Sequence, residues 1–236
     1  MASQDNVTLV SGFWDITSPY LLDQYKSWFR STMKINQRMY FFCAKDTIPY
    51  IRECRGNLET IFVEFDLDDF YAKTVYEMLE NHPEKIQSVQ YKIQPLLEKF
   101  HLVKKARDMD GENQSTYYIW YNADFVPFRN EHPPSKRLNI YKNTMLFNTM
   151  MGYSEYYPEN SEMLVDGNAF IIHKDLVDVM FTLYYNFVRW NYVDLRKMVG
   201  RSDDILISSL LTKHPNVFCR MSVGPGENLI MAYEMS

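Results

Sequence analysis

The sequence predicts an α/β domain with a largely parallel central sheet. Three observations carry this. In the first part of the chain, β-rich runs at 7–14, 38–43 and 59–65 alternate with helical patterns. The first of them, Val7-Thr-Leu-Val-Ser-Gly-Phe-Trp14, reads as a buried strand. No repeat or linker divides the 236 residues, a length that suits one domain or two small halves sharing a core.

The elements follow in order. Ser18-Pro19 start a helix, because proline at the first helical position is already set for it. Tyr20, Leu21, Tyr25, Trp28 and Phe29 then fall at helical spacing. After the strand at 38–43, a turn at 45–49 leads into a short helix ending near Arg55-Gly56. Beyond the strand at 59–65, Asp66 to Asp69 open another helix, their carboxylates suited to its positive end. A helical pattern runs from 83 to 106 with Pro95 as a candidate break, and the polar stretch 107–115 reads as a loop. The run at 116–121 is a strand ending in Asn122-Ala123-Asp124; Pro127, Pro133 and Pro134 mark an irregular segment. Strands are expected at 145–149 and 169–172, helices at 175–191 and 202–213, and closing strands at 217–221 and 229–232.

Composition excludes several classes. Apolar residues make up 46% and charged residues 23%, which removes disordered and low-complexity readings. With 25 Lys+Arg against 30 Asp+Glu, the net charge of −5 argues against nucleic acid, which needs a basic surface. Three cysteines without short spacing support neither a disulfide framework nor a zinc knuckle. The first residues lack the basic and apolar pattern of a secretory signal, and no apolar run approaches the roughly 18–20 residues of a membrane span. The expectation is a soluble, cytoplasmic protein.

The familiar phosphate cradles are missing: there is no G-x-G-x-x-G after a strand and no G-x-x-x-x-G-K-[ST]. There is also no G-x-S-x-G elbow and no H-E-x-x-H. In an open α/β sheet, ligands sit outside the carboxyl ends of strands, which directs attention to Phe13–Asp15, Cys43–Asp46, Phe65–Asp66 and Asn122–Asp124. Asn122 and Asp124 flank a small residue after an apolar strand, an oxygen-rich pattern that a hard divalent cation accepts. A strand-end turn, where Asn and Asp satisfy local hydrogen bonds, explains them as well. Ser202-Asp203-Asp204 is either an N-cap with acidic residues at the helix dipole or the source of a general base. Asp166, Gly167 and Asn168 either make a turn into a strand or hold hydroxyls around a close backbone approach.

Together these features resemble nucleotide-sugar glycosyltransferases of the GT-A type, and within them the HtrL/YibB-like group. The opening strand at 7–16 ending in Asp15, Arg55 ahead of Thr60-Ile-Phe-Val, the helix from Lys99 to Ala106, and Trp120-Tyr-Asn-Ala-Asp124 as a D-x-D counterpart carry the resemblance. So do the Gly-containing strand at 164–174 and the acidic helix start at Ser202. Asn122 stands where the first acidic residue of D-x-D is found. The resemblance implies a Rossmann-like three-layer sandwich with a nucleotide-binding half (1–125) and an acceptor-binding half (126–236). It implies a hexosyl- or pentosyltransferase acting on a UDP-sugar and a glycan hydroxyl, with inversion. Phe13, Trp14, Asp15, Arg55, Lys99, Asn122 and Asp124 are then expected at the donor, with Mn²⁺ or Mg²⁺ on Asp124. Asp166, Gly167 and Asn168 face the acceptor, and Asp203 or Asp204 is the base. The alternatives are a silent nucleotide or sugar binder of the same fold and a protein-interaction module.

Overall fold

Seven strands make one sheet in the order β3-β2-β1-β4-β6-β5-β7: β1 (Val7–Phe13), β2 (Met39–Cys43), β3 (Thr60–Glu64), β4 (Tyr117–Tyr121), β5 (Thr149–Ser154), β6 (Leu164–His173) and β7 (Phe218–Val223). This computed structural model describes residues 7–14, 29–74, 90–113, 115–123, 135–138, 149–154, 164–190 and 203–223. The predicted strand at 229–232 lies outside them. β3, β2, β1 and β4 pair in parallel, β6 is antiparallel to β4 and β5, and β5 and β7 are parallel again. The sheet is therefore largely parallel, as expected.

The alternation of side chains across the pleat builds two cores, one on each face. Val10, Tyr40, Phe42, Tyr118, Trp120, Phe170 and Ile172 face one way. They are covered by the buried residues of α2 (Gln90–Asp110), α3 (Val177–Trp190) and α4 (Asp203–Lys213). Val7, Leu9, Met39, Phe41, Tyr117, Ile119, Tyr121 and Ile171 face the other. There they meet Phe29, Met33 and Ile35, and Ile51 and Cys54 of α1 (Ile48–Arg55). Helices on both faces give three layers. No helix among the described residues is long and apolar enough to cross a membrane.

Three elements depart from the sequence reading. Pro95 does not break α2, which runs on to Asp110. A proline this near the start of a helix removes one hydrogen bond, and burial of Phe100, Leu102, Val103 and Ala106 outweighs that loss. Residues 107–110 are helix because Asp110 has buried partners: it accepts from Arg38 Nη2 (2.5 Å), Tyr40 Oη (2.7 Å) and Tyr118 Oη (2.6 Å). Burial, then the bond to Asp110, pushes the Tyr40 phenol up to about 12 and raises Tyr118 as well. The strand expected at 145–149 is found at Thr149–Ser154, and β6 begins at Leu164, five residues before its apolar half.

The close of β1 is tightly packed. Trp14 folds back over Gly12, donates Nε1–H to the Phe65 carbonyl (2.7 Å) and meets Phe70 edge-on with centroids 4.7 Å apart. A Cβ on Gly12 would lie 2.5 Å and 2.6 Å from the indole and 3.1 Å from the Phe42 carbonyl. Gly12→Ala is therefore expected to lose about 1–3 kcal/mol, because the ring must shift and backbone blocks the other side. Denaturant titration measures this, and a midpoint equal to wild type would contradict the packing.

Candidate functional site

The strand order reverses between β1 and β4: β1 leads outward to β2, and β4 starts the other half of the sheet. A parallel sheet has its ligand crevice at the carboxyl ends on either side of such a reversal. The ladder between β1 and β4 stops at Val10 opposite Trp120, while β1 stays paired with β2 as far as Phe13 opposite Cys43. Where the ladder stops, Ser11 donates its hydroxyl to the Tyr121 carbonyl (2.8 Å) and keeps that oxygen satisfied. Gly12, Phe13 and Trp14 follow on the β1 side of this strand reversal, and Tyr121, Asn122 and Ala123 on the β4 side.

On the far side of β4, β6 is bulged. Its pairing with β5 jumps from Asp166 opposite Gly152 to Phe170 opposite Met151. Asn168 nevertheless stands opposite Asn122, one step beyond the Tyr121–Ala169 pair in the regular antiparallel register of β4 and β6. The Asn122 backbone N–H donates to the Asn168 carbonyl (2.8 Å), and Asn122 Nδ2 donates to Asn168 Oδ1 (2.8 Å). Trp120 Nε1 donates to Asn122 Oδ1 (3.0 Å). Behind the bulge, Lys99 Nζ of α2 donates to the Gly167 carbonyl (2.7 Å).

The structure thus brings Asn122, Gly167, Asn168 and Lys99 together at the carboxyl edge of the sheet. Lys99 is 1% exposed, so it is an interior residue and not the solvated lysine that surface statistics favour. Phe13 is half-buried and packs on Phe29 with centroids 5.2 Å apart. Asp15, Asp124 and Ser202 lie outside the described residues. Asp203 and Asp204 open α4, which packs on β6, and Asp166 is in β6.

Two expectations are corrected. Arg55 is not at the crevice. It is 1% exposed, and its Nε and both terminal nitrogens donate to Thr60 Oγ1 and to the carbonyls of Met33, Ile35, Gln37 and Glu59 at 2.7–3.2 Å. Those acceptors precede β2 and β3, at the amino edge of the sheet, opposite the crevice. Trp14 does not offer its face to a nucleotide either: its indole N–H and ring are taken up by Phe65, Phe70 and Gly12.

Sequence reasoning also missed Glu98. Its buried carboxylate accepts the backbone N–H groups of Tyr71 (2.8 Å) and Ala72 (2.9 Å) and bonds His101 Nδ1. It caps the helical turn at 71–74 from another element, and an acidic residue in the middle of a helix carries no local signal of that role. Cys43, at the end of β2, is held as a thiol: burial first, with Asp46 and Asp66, pushes it up to about 12. That makes it a poor nucleophile. Among the described residues, no group of three or more His, Cys, Asp or Glu comes close enough to hold a metal.

No protein-family model matches the sequence, and no curated protein matches it. Solved structures do match. Mouse xyloside xylosyltransferase 1, in its apo form, superposes with a TM-score of 0.52 at 10% identity, over 91% of this chain and 84% of that one. The fold is that of the GT-A glycosyltransferases. A glycosyltransferase involved in glycosylation of the PBCV-1 major capsid matches at 0.42 and 11% identity, over 92% and 81% of the two chains. GlyE of Streptococcus pneumoniae matches at 0.43 and 8%, over 92% of this chain and 45% of its own. Resemblance to the HtrL/YibB-like group rests on the sequence motifs alone.

Proposed function

We propose that the chain is a glycosyltransferase that moves a sugar from a nucleotide diphosphate sugar, first of all a UDP-sugar, to a glycan hydroxyl. The observation that supports this most is the reversal of strand order between β1 and β4, with the Asn122 and Asn168 amides held at the carboxyl end of β4. In this reading Phe13 and Asp15 border the nucleotide, and Asn122 offers an uncharged contact to the sugar moieties. Asp166 and Gly167 border the acceptor.

The donors at this strand end are oxygens. Asn122 Oδ1 accepts one hydrogen bond from Trp120 and keeps a second lone pair. With the Asp124 carboxylate two residues on, this chemistry fits a hard cation, Mn²⁺ or Mg²⁺, provided diphosphate oxygens complete its shell. Bound there, such a cation supplies positive charge beside the leaving diphosphate.

The chain's own part in the reaction is a proton transfer. Asp203 or Asp204 takes the proton of the acceptor hydroxyl as its oxygen bonds to the anomeric carbon. The bond from that carbon to the diphosphate oxygen breaks on the opposite face, with inversion. The helix that Asp203 and Asp204 open, α4, packs on β6, the strand whose Asn168 meets Asn122.

A thermal-shift panel of UDP, GDP and CDP, with and without Mn²⁺, tests the donor. UDP with Mn²⁺ at about a hundred times its Kd is expected to add about 2.7 kcal/mol of stability. Incubation with UDP-sugars and glycan acceptors then reads transfer. A silent binder of the same fold shows the shift without turnover. A panel in which no nucleotide moves the midpoint removes the donor assignment and favours an interaction module.

A further inference from the structure

We propose that Asn168 is a positioning residue: it holds Asn122, and with it the end of β4, in the orientation the donor site uses, while Lys99 secures the β6 bulge behind it. This inference rests on the glycosyltransferase reading of the crevice, and it reassigns Asn168 from the acceptor side to the support of the donor side.

The orientation of the two amides follows from Trp120. An indole N–H only donates, so the Asn122 atom facing it at 3.0 Å is Oδ1. Nδ2 then faces Asn168, which must present Oδ1 across the 2.8 Å gap. A carboxylate at position 122 would set oxygen against oxygen there unless the Asn168 amide turned over. With the Asn168 amide as it stands, the pair suits a neutral residue at the first position of the D-x-D-like segment.

The end of β4 is held from both sides. Ser11 of β1 takes the Tyr121 carbonyl, and the Asn168 carbonyl takes the next N–H, that of Asn122. The segment that supplies Asn168 is itself irregular, because residues 167–169 have no opposite number in the β5 ladder. Such a bulge re-aims side chains, and it needs support from outside the ladder to hold one geometry. Lys99 provides that support through a charge-assisted bond to the Gly167 carbonyl. Burying its charge at 1% exposure is unfavourable unless the ammonium is well bonded. Three linked contacts thus run from α2 through β6 to the rim of the crevice.

A double-mutant cycle on UDP binding in the presence of Mn²⁺, read by calorimetry, tests the proposal. Asn122→Ala and Asn168→Ala are each expected to weaken binding about 10-fold, and the double variant to be no weaker than Asn122→Ala. If the two losses multiply to about 100-fold, or if Asn168→Ala binds as wild type does, Asn168 does not act through Asn122 and the proposal falls. Amide exchange in the ligand-free protein gives a second, independent reading. The Asn122 N–H is expected to exchange at least about 10-fold faster in Asn168→Ala and in Lys99→Met, with Ile119 in mid-strand unchanged. Unchanged exchange at Asn122 overturns the clamp whatever the ligand does. Faster exchange in a protein that binds no UDP, with or without Mn²⁺, supports the clamp and sinks the donor reading instead.

Discussion

Arg55→Met is expected to destabilise the domain by about 3–5 kcal/mol, within what leaving at least two buried carbonyls without their donor costs. Arg55 ties the end of α1 to the chain entering β2 and to the start of β3. Methionine fills much of the volume but donates nothing, so the buried carbonyls of Met33 and Gln37 lose this donor. Each acceptor left unsatisfied costs about 1–3 kcal/mol. At roughly 2–4 °C per kcal/mol for a chain of this size, the midpoint should fall by about 6–20 °C. Arg55→Lys should recover only part, because an ammonium cannot reproduce the planar fork that spans these acceptors. A lysine variant that melts with wild type would show that the fork is dispensable.

The second large effect is on binding. Asp124→Ala is expected to abolish the Mn²⁺-dependent part of UDP stabilisation while the melting midpoint without ligand stays close to wild type. Asp124 is the acidic residue of the D-x-D-like segment, and with Asn122 in place of the first acid no neighbouring carboxylate of that segment can take over its charge. Loss of a single hard ligand that also carries the site's charge removes most cation affinity. Unaltered Mn²⁺ dependence in Asp124→Ala would place the cation elsewhere. Alongside it, Asp203→Asn and Asp204→Asn separate the base from its neighbour: one is expected to lose transfer and keep UDP binding. If both retain full turnover, the proton goes to another group.

The fold was legible because it is written in local patterns. The strands at 7–14, 38–43 and 59–65, and the run at 116–121, stand out as short β-rich segments, and burial of β1, β2 and β4 on both faces is what makes them so. Local composition showed β6 only from Ala169 onward, since Asp166-Gly167-Asn168 reads as a polar turn, whereas the family resemblance placed a strand at 164–174, close to the observed Leu164–His173. The loop expected at 107–115 failed for a related reason. Asp110 looks like a turn residue, and nothing nearby in sequence shows that Arg38, Tyr40 and Tyr118 will surround it.

The candidate site was legible in part. Asn122, Gly167 and Asn168 stood out as oxygen-bearing or small residues at strand ends, and they meet at one edge. Arg55 and Trp14 stood out equally, and both belong to packing. A guanidinium that binds a diphosphate and one that staples backbone carbonyls have the same sequence signature. Only the identity of the five acceptors separates them.

By itself, then, the sequence determined which segments become strands and helices, that they form an α/β layered domain, and which strand ends carry polar atoms. These properties depend on neighbours a few positions apart. The tertiary structure alone decided that the strand order reverses between β1 and β4, that Lys99 lies inside, and that Asn168 grips Asn122. The last two hang on hydrogen bonds between residues 68 and 46 positions apart, whose partners are set by strand order and by the register of β4 on β6, and neither leaves a mark in local composition.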